Sequence, residues 1–107
     1  MFFSDWNEKP PYKVSQNLLW DCDLDNFDWE RFRALVVERV IERGNIQDFY
    51  GAIQLYGGLD PFRSIIKNEV KYLSEKDIAF ICQLFHFKKE ELRCYRRKLL
   101  REKHLNF

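Results

Sequence analysis

The arginines near the carboxyl end of the chain are the side chains best suited to bind a partner. The stretch RCYRRKLLREK, residues 93–103, carries six positive charges and one negative charge around two adjacent leucines. Because Arg93, Arg97 and Arg101 recur every four residues, they share one side of a predicted helix. The guanidinium group suits carboxylates, phosphates and guanine edges. Together with Arg96, these arginines are candidate contacts to a partner protein or to nucleic acid, and a helix face that meets only solvent is the third alternative.

Alternating aspartates precede the first long helix and suggest metal chemistry. Asp21, Asp23 and Asp25 occupy the first, third and fifth positions of a calcium-loop pattern. The pattern then fails, because Asn26 replaces the glycine of the sharp turn and the closing bidentate glutamate is missing. We therefore predict no metal ligands here, and we expect Asp25, Asn26 or Asp28 to cap the helix instead.

Catalytic chemistry has few residues to use. The two histidines, His86 and His104, lie in no recognisable motif, and Gly57-Gly58 lacks the lysine and hydroxyl of a phosphate-binding loop. Glutamates of the first helix alternate with arginines, which is typical of a solvated helix face. We predict a non-enzymatic protein without catalytic residues or a cofactor.

Composition favours one globular domain with an interaction surface. The 107 residues are 46% hydrophobic and 33% charged, which is typical of a globular chain. Aromatic residues reach 17%, more than a core of this size needs, so we expect several at a partner-binding surface. The three cysteines are odd in number and widely spaced, which predicts free thiols in a reducing compartment.

Targeting signals are not evident in the sequence. The first residues lack the basic and apolar pattern of a signal peptide, and no apolar stretch approaches membrane-spanning length. We expect a cytoplasmic protein that does not interact with a membrane.

Charge is divided unevenly along the chain. Residues 1–30 hold seven acidic and two basic side chains, whereas residues 88–107 hold eight basic and three acidic ones. The two ends could attract each other within one fold, or they could pair head to tail in a homodimer.

Helical periodicity predicts an all-α fold, a single small bundle of about five helices joined by short turns. Residues 1–16, which include Pro10-Pro11, are predicted to form an extended N-terminal arm, and residues 17–107 a single helical domain. The first helix is predicted over residues 28–43, with Gly44 at its end and Trp29, Phe32, Val36 and Val40 on its buried face.

The later helices are predicted from their start signals. Asn45 caps the second helix, and Asp60 caps the third, with Pro61 at its first position. Ser74, with Asp77 three residues on, opens the fourth helix. The fifth covers about residues 88–104.

The last two helices resemble a helix-turn-helix unit. Cys82 supplies the small residue, and His86-Phe87 supplies the turn, although this turn usually contains glycine. In the last helix we expect Leu92, Tyr95 and Leu99 to pack inward and the arginines to face solvent. A small DNA-binding regulator that uses the basic C-terminal helix is therefore the alternative function.

The sequence contains the short pieces Leu19-Trp20-Asp21, Asp28-Trp29, Glu38-Arg39-Val40, Glu42-Arg43-Gly44, Tyr56-Gly57 and Arg93-Cys94-Tyr95. Through these pieces, residues 17–97 are similar to a family of small uncharacterised bacterial proteins, a domain of unknown function. Members of that family look like partners of abortive-infection-type nucleotidyltransferase toxins and are encoded beside them, so the resemblance implies a partner encoded nearby. An antitoxin-like role would follow, and no catalytic residue comes with the resemblance.

Overall fold

Five α-helices make up the part of the chain that the structure describes. The computed structural model describes the backbone of residues 3–105 and the side chains of residues 3–101. Within that part of the chain there is no strand, so the predicted all-α fold is confirmed. None of its helices is long and apolar enough to cross a membrane. The helices are α1 (Arg33–Arg43), α2 (Ile46–Leu55), α3 (Leu59–Asn68), α4 (Glu75–Phe85) and α5 (Arg93–Leu105), with short 3₁₀ turns at Trp6–Glu8, Gln16–Leu19, Leu24–Asn26 and Lys89–Glu91.

The centre of the core is α1, which contacts α2, α3, α4 and the turn at Gln16–Leu19. Its buried residues recur at helical spacing and point inward from one face. Aromatic rings complete the core, and the Phe62 ring meets Phe85 edge to face at 5.7 Å. The buried α1 residues are Val36, Val37, Val40 and Ile41.

Two helix starts follow their predicted caps. The Asn45 side chain accepts a hydrogen bond from the backbone N–H of Asp48 at 2.9 Å, and the Asp48 carboxylate accepts one from the backbone of Asn45 at 3.0 Å. This reciprocal pair is a capping box. Ser74 caps α4 by accepting a bond from the backbone of Asp77 at 3.1 Å. Both caps are confirmed.

The predicted start of α3 was wrong by two residues. Gly58 occupies the N-cap position with φ +131°, a conformation that favours glycine, and the helix begins at Leu59. Asp60 and Pro61 therefore lie inside the first turn. Proline is tolerated there because the first backbone N–H groups of a helix have no intrahelical partner.

The predicted start of α1 was also wrong. Residues 29–32 form turns, and the helix begins at Arg33. Phe32 consequently lies outside the helix, stacks on Phe27 with 5.4 Å between ring centroids, and is 42% exposed. Trp29 is half-buried against the core, whereas the predicted burial of Val36 and Val40 is confirmed.

The last helix begins later than predicted because a 3₁₀ turn precedes it. His86 adopts a left-handed conformation, φ 58°, at the end of α4, where glycine is common. Leu92 is fully buried as expected, and Tyr95 packs partly against the core. Leu99 is 39% exposed, so its predicted inward packing was wrong. The reason is that residues 99–101 of α5 are all exposed, so this part of the helix does not lie against the core.

The N-terminal arm lies along α2. Gln54 holds it at several points: its side-chain oxygen accepts from the backbone of Tyr12 at 2.9 Å, and its side-chain nitrogen donates to the backbone oxygen of Pro10 at 3.0 Å. The Tyr50 hydroxyl donates to Asp5 at 2.7 Å. A Cβ atom at Gly51 would approach arm backbone atoms to 3.1 Å, so glycine allows the arm to cross the helix closely.

Candidate interaction surface

Two of the candidate arginines, Arg97 and Arg101, contact the side chain of Tyr72. The Arg97 guanidinium donates to the Tyr72 hydroxyl at 3.0 Å and lies 5.1 Å from the ring centroid. The Arg101 guanidinium lies 5.5 Å from the same centroid. Because Tyr72 is 50% exposed, the ring and both cations are presented together at the surface. We call Tyr72, Arg97 and Arg101 the tyrosine–arginine cluster.

The other two candidate arginines lie outside this cluster. Arg93 is half-buried, and its guanidinium donates to the backbone oxygen of Asn68 at 3.4 Å. Arg96 is exposed, and within residues 3–101 its guanidinium makes no hydrogen bond or ion pair, while its backbone N–H donates to Leu92. The predicted solvent-facing row is therefore accurate for Arg101, while Arg93 and Arg97 pack against residues 68–72.

Tyr72 was not predicted as a site residue. It follows the end of α3, between Val70 and Leu73, which continue the apolar spacing of the third helix in the sequence, and that spacing did not mark Tyr72 as a contact of α5. Its approach to α5 depends on α5 packing against α3, which is a tertiary contact.

A hollow of about 290 Å³ separates α1 from residues 69–72, and we call it the α1 hollow. Exposed aromatic rings, Phe32 and Tyr72, border it. Burial raises the pKa of Glu38, and the nearby charge of Glu42 raises it further. The lining of the α1 hollow thus combines apolar side chains with charged side chains of both signs. Its lining residues are Arg31, Phe32, Ala34, Leu35, Glu38, Glu69, Lys71 and Tyr72.

Residues 21–30, which we call the acidic segment, use several carboxylates within the chain. Both oxygens of Asp21 accept bonds from Arg39, at 3.0 and 2.9 Å, and this arginine lowers the pKa of Asp21 to about 2. Asp23 accepts from the backbone of Asp25 and from the Asn26 side chain.

The predicted capping residues have different roles. Asp28 accepts from the backbone of Arg31 at 3.0 Å, one turn before α1, so it caps the turn that leads into the helix. Asp25 and Asn26 do not cap α1, because both donate to Asp23 in a separate 3₁₀ turn. Among the residues that the structure describes, no group of three potential metal ligands occurs.

The charged ends of the chain do not neutralise each other within residues 3–101. The acidic segment pairs with α1, through Asp21–Arg39 and Glu30–Arg33. On α5, Lys98 pairs with Glu75 at 3.0 Å. Opposite charges at the two ends therefore remain available to other molecules. The exposed acidic side chains of the segment include Asp23, Asp25, Asp28 and Glu30.

The cysteines are free thiols. Cys94 is buried at the inner side of α5, and burial raises the pKa values of the Cys82 and Cys94 thiols. A raised pKa lowers the thiolate fraction, which fits packing residues better than nucleophiles.

The connection between α4 and α5 differs from a standard helix-turn-helix turn. It covers residues 86–92 and contains its own 3₁₀ turn at Lys89–Glu91, whereas the standard turn has about three to four residues. The helix that would enter a DNA groove also holds Arg97 against Tyr72.

Part of the chain matches the sequence model of a known protein family. Residues 14–66 match DUF6922, a family of unknown function. The DUF6922 segment contains α1, α2 and most of α3, and it ends before Tyr72 and α5. No curated protein and no solved structure gave a significant match. The tyrosine–arginine cluster therefore lies outside the matched segment, and beyond residue 66 the wider resemblance rests on the sequence pieces alone.

Proposed function

We propose that this protein is a non-enzymatic helical interaction protein that binds an acidic surface of a partner protein. The observation that supports this most directly is the half-exposed Tyr72 ring beside the Arg97 and Arg101 guanidiniums. Tyrosine and arginine are the residue types enriched where binding energy concentrates. Their contact also holds the side chains in place before binding, which reduces the entropy lost on association.

The partner class comes from the family resemblance. Proteins with similar sequence pieces look like partners of nucleotidyltransferase-type toxins that are encoded beside them. We therefore propose an antitoxin-like role toward such a toxin. In this role the tyrosine–arginine cluster supplies the contact, and the positive charge of α5 orients the encounter.

A DNA-binding regulator is the second candidate, and the exposed Arg96 and Arg101 favour it. Two observations weigh against it: the seven-residue connection between α4 and α5, and the hydrogen bond that holds Arg97 on Tyr72. Specific DNA binding would require arginines that can reach base edges.

Co-purification with the product of the neighbouring gene tests the proposal. We expect a complex that Tyr72→Ala and Arg101→Glu weaken by about tenfold or more, with a larger loss at low salt for the charge reversal. Lys88→Glu makes the same charge change at an exposed position in the α4–α5 connection and should leave affinity almost unchanged.

A gel-shift titration separates the second candidate. The proposed protein interaction predicts weak DNA binding that is the same for the protein's own promoter and for a scrambled duplex. Sequence-specific binding that Arg96→Ala abolishes, with no complex formed with the neighbouring gene product, would replace our proposal with the regulator.

A further inference from the structure

A groove of about 460 Å³ lies between residues 11–14 of the N-terminal arm, Trp29 and the second half of α2, and we call it the arm groove. Apolar and aromatic side chains form most of its wall, and Leu55, at the end of α2, is 47% exposed. The volume lies within the range of pockets that bind small organic molecules, and such pockets are mostly apolar with a few polar groups.

Hydrogen bonds fix the arm segment on both sides of the groove. Before it, Gln54 binds the backbone of Pro10 and of Tyr12, at 3.0 and 2.9 Å. After it, the Asp48 carboxylate accepts from the backbone N–H and the hydroxyl of Ser15, at 2.9 and 2.7 Å. The wall that the arm contributes is therefore preformed, which reduces the entropy lost when a ligand binds.

The opposite wall, at Trp29, is fixed as well. The Trp29 ring packs edge to face on Phe27, with 4.9 Å between the ring centroids. Its backbone oxygen accepts a bond from the Tyr56 hydroxyl at 2.9 Å. A ligand in the arm groove would thus meet an anchored aromatic residue.

Lys13 gives the arm groove a positive charge. Among the described residues that line the groove, it carries the only formal charge, and its side chain makes no ion pair within residues 3–101. The carboxylates on either side of Trp29 are engaged elsewhere, because Asp28 accepts from the backbone of Arg31 and Glu30 pairs with Arg33. The groove therefore combines apolar walls with one cation that is not neutralised by the carboxylates beside it in the described part of the chain.

We infer that the arm groove binds a small carboxylic acid that has an apolar chain or ring. The apolar body lies against Trp29 and Leu55, and the carboxylate pairs with Lys13. The lysine favours an acid, because it attracts an anion and repels a cation. The arm groove shares no residue with the tyrosine–arginine cluster, so this inference goes beyond the proposed function and does not depend on it.

Isothermal titration calorimetry of the purified full chain measures the binding of two probes, decanoate for a chain and phenylpropionate for a ring. We expect a dissociation constant below about 1 mM for at least one of them. Decanol, which has the chain of decanoate without its charge, should bind more weakly than decanoate.

Charge reversal tests the role of the lysine. Lys13→Glu should raise the dissociation constant of the acid by about tenfold or more, because attraction becomes repulsion, and it should leave the binding of decanol almost unchanged. Lys88→Glu makes the same charge change at an exposed position outside the groove and should leave the affinity for the acid intact.

Amide NMR locates the bound acid. The backbone signals of Val14 and Gly51, which line the arm groove, should shift more than that of Tyr72, which does not. Leu55→Glu should weaken the binding of acid and alcohol alike, because it places a carboxylate in the apolar wall.

Two results would overturn the inference. One is a dissociation constant above about 1 mM for both acids. The other is an affinity for the acid that Lys13→Glu and Leu55→Glu both leave unchanged, since the acid would then bind elsewhere. Circular dichroism of each variant establishes that it is folded, and neither result involves the partner required by the proposed function.

Discussion

The chemistry of a single residue in this protein depends on the group that faces it, and Asp21 illustrates this. Sequence alone presents it as one of several aspartates suited to a cation. In the structure, Arg39 occupies both of its oxygens and also donates to the backbone of Leu18. The Asp21–Arg39 ion pair therefore attaches the acidic segment to α1. The neighbouring residue Cys22 adds a second attachment, because it packs partly against the core.

The Asp21–Arg39 pair predicts a measurable titration. Since the pKa of Asp21 falls from 3.8 to about 2, the pair stabilises the fold fully above about pH 4. This contribution is lost as the pH drops through 2. A carboxyl-carbon NMR titration should give a pKa near 2, and Arg39→Gln should return it toward 3.8. An unchanged pKa in that variant would mean that another group lowers it.

The position of Phe32 predicts a small mutational effect. Phe32→Ala should cost about 1 kcal/mol, because the ring is already partly solvated and loses mainly its stacking on Phe27. The fully buried Phe62 is the matched comparison, and Phe62→Ala should cost about 3–5 kcal/mol. Urea denaturation measures both values. Equal losses would show that Phe32 is a core residue in solution.

At the scale of elements, one buried carboxylate joins the arm to α2. Asp48 is only 3% exposed, and its Oδ1 accepts bonds from the backbone N–H and the hydroxyl of Ser15, at 2.9 and 2.7 Å. Its Oδ2 completes the capping box with Asn45. The position of the arm and the start of the helix are therefore fixed by the same side chain.

Removing this carboxylate should destabilise the protein. Asp48→Ala leaves three donors without their acceptor, so we expect a loss of about 2–4 kcal/mol in chemical denaturation. Asp77→Ala changes the corresponding position of α4, where the Ser74 hydroxyl accepts only from the Asp77 backbone, and should cost less than about 1 kcal/mol. Similar losses in the two variants would contradict the joining role of Asp48.

At the scale of the whole molecule, the DUF6922 segment does not contain a complete core. It ends at Ile66 inside α3, whereas α4 and residues 87–94 supply further buried side chains. Phe85 packs against both Phe62 and Phe49 of the matched segment. Side chains of the DUF6922 segment and of the rest of the chain therefore pack together in one hydrophobic core.

A fragment that contains only residues 14–66 should consequently fail to fold cooperatively. We expect weak helical circular dichroism and a broad, non-sigmoidal urea transition, because the fragment leaves the Phe62 face without its cover. The full chain under the same conditions should show one sigmoidal transition. A cooperative transition in the fragment would establish it as an independent domain.

Local sequence signals determined the helical class and two helix starts. Asn45 and Ser74 cap their helices through bonds within three residues, and the valine and isoleucine spacing of α1 identifies its inner face. Such features depend on short-range geometry, so a single sequence is sufficient to predict them. The four candidate arginines were found for the same reason, as a pattern within one helix.

Tertiary structure decided what the candidate site contains. The hydrogen bond between Arg97 and Tyr72 joins residues 25 positions apart in the sequence, and the bond between Ser15 and Asp48 joins residues 33 positions apart. A local sequence pattern does not predict contacts at such separations. The exposure of Phe32 and Leu99 was mispredicted because periodicity gives the direction of a side chain but not the point where a helix begins or leaves the core. The residue at which a helix begins or leaves the core depends on the elements that pack against it, and only the folded chain determines that residue.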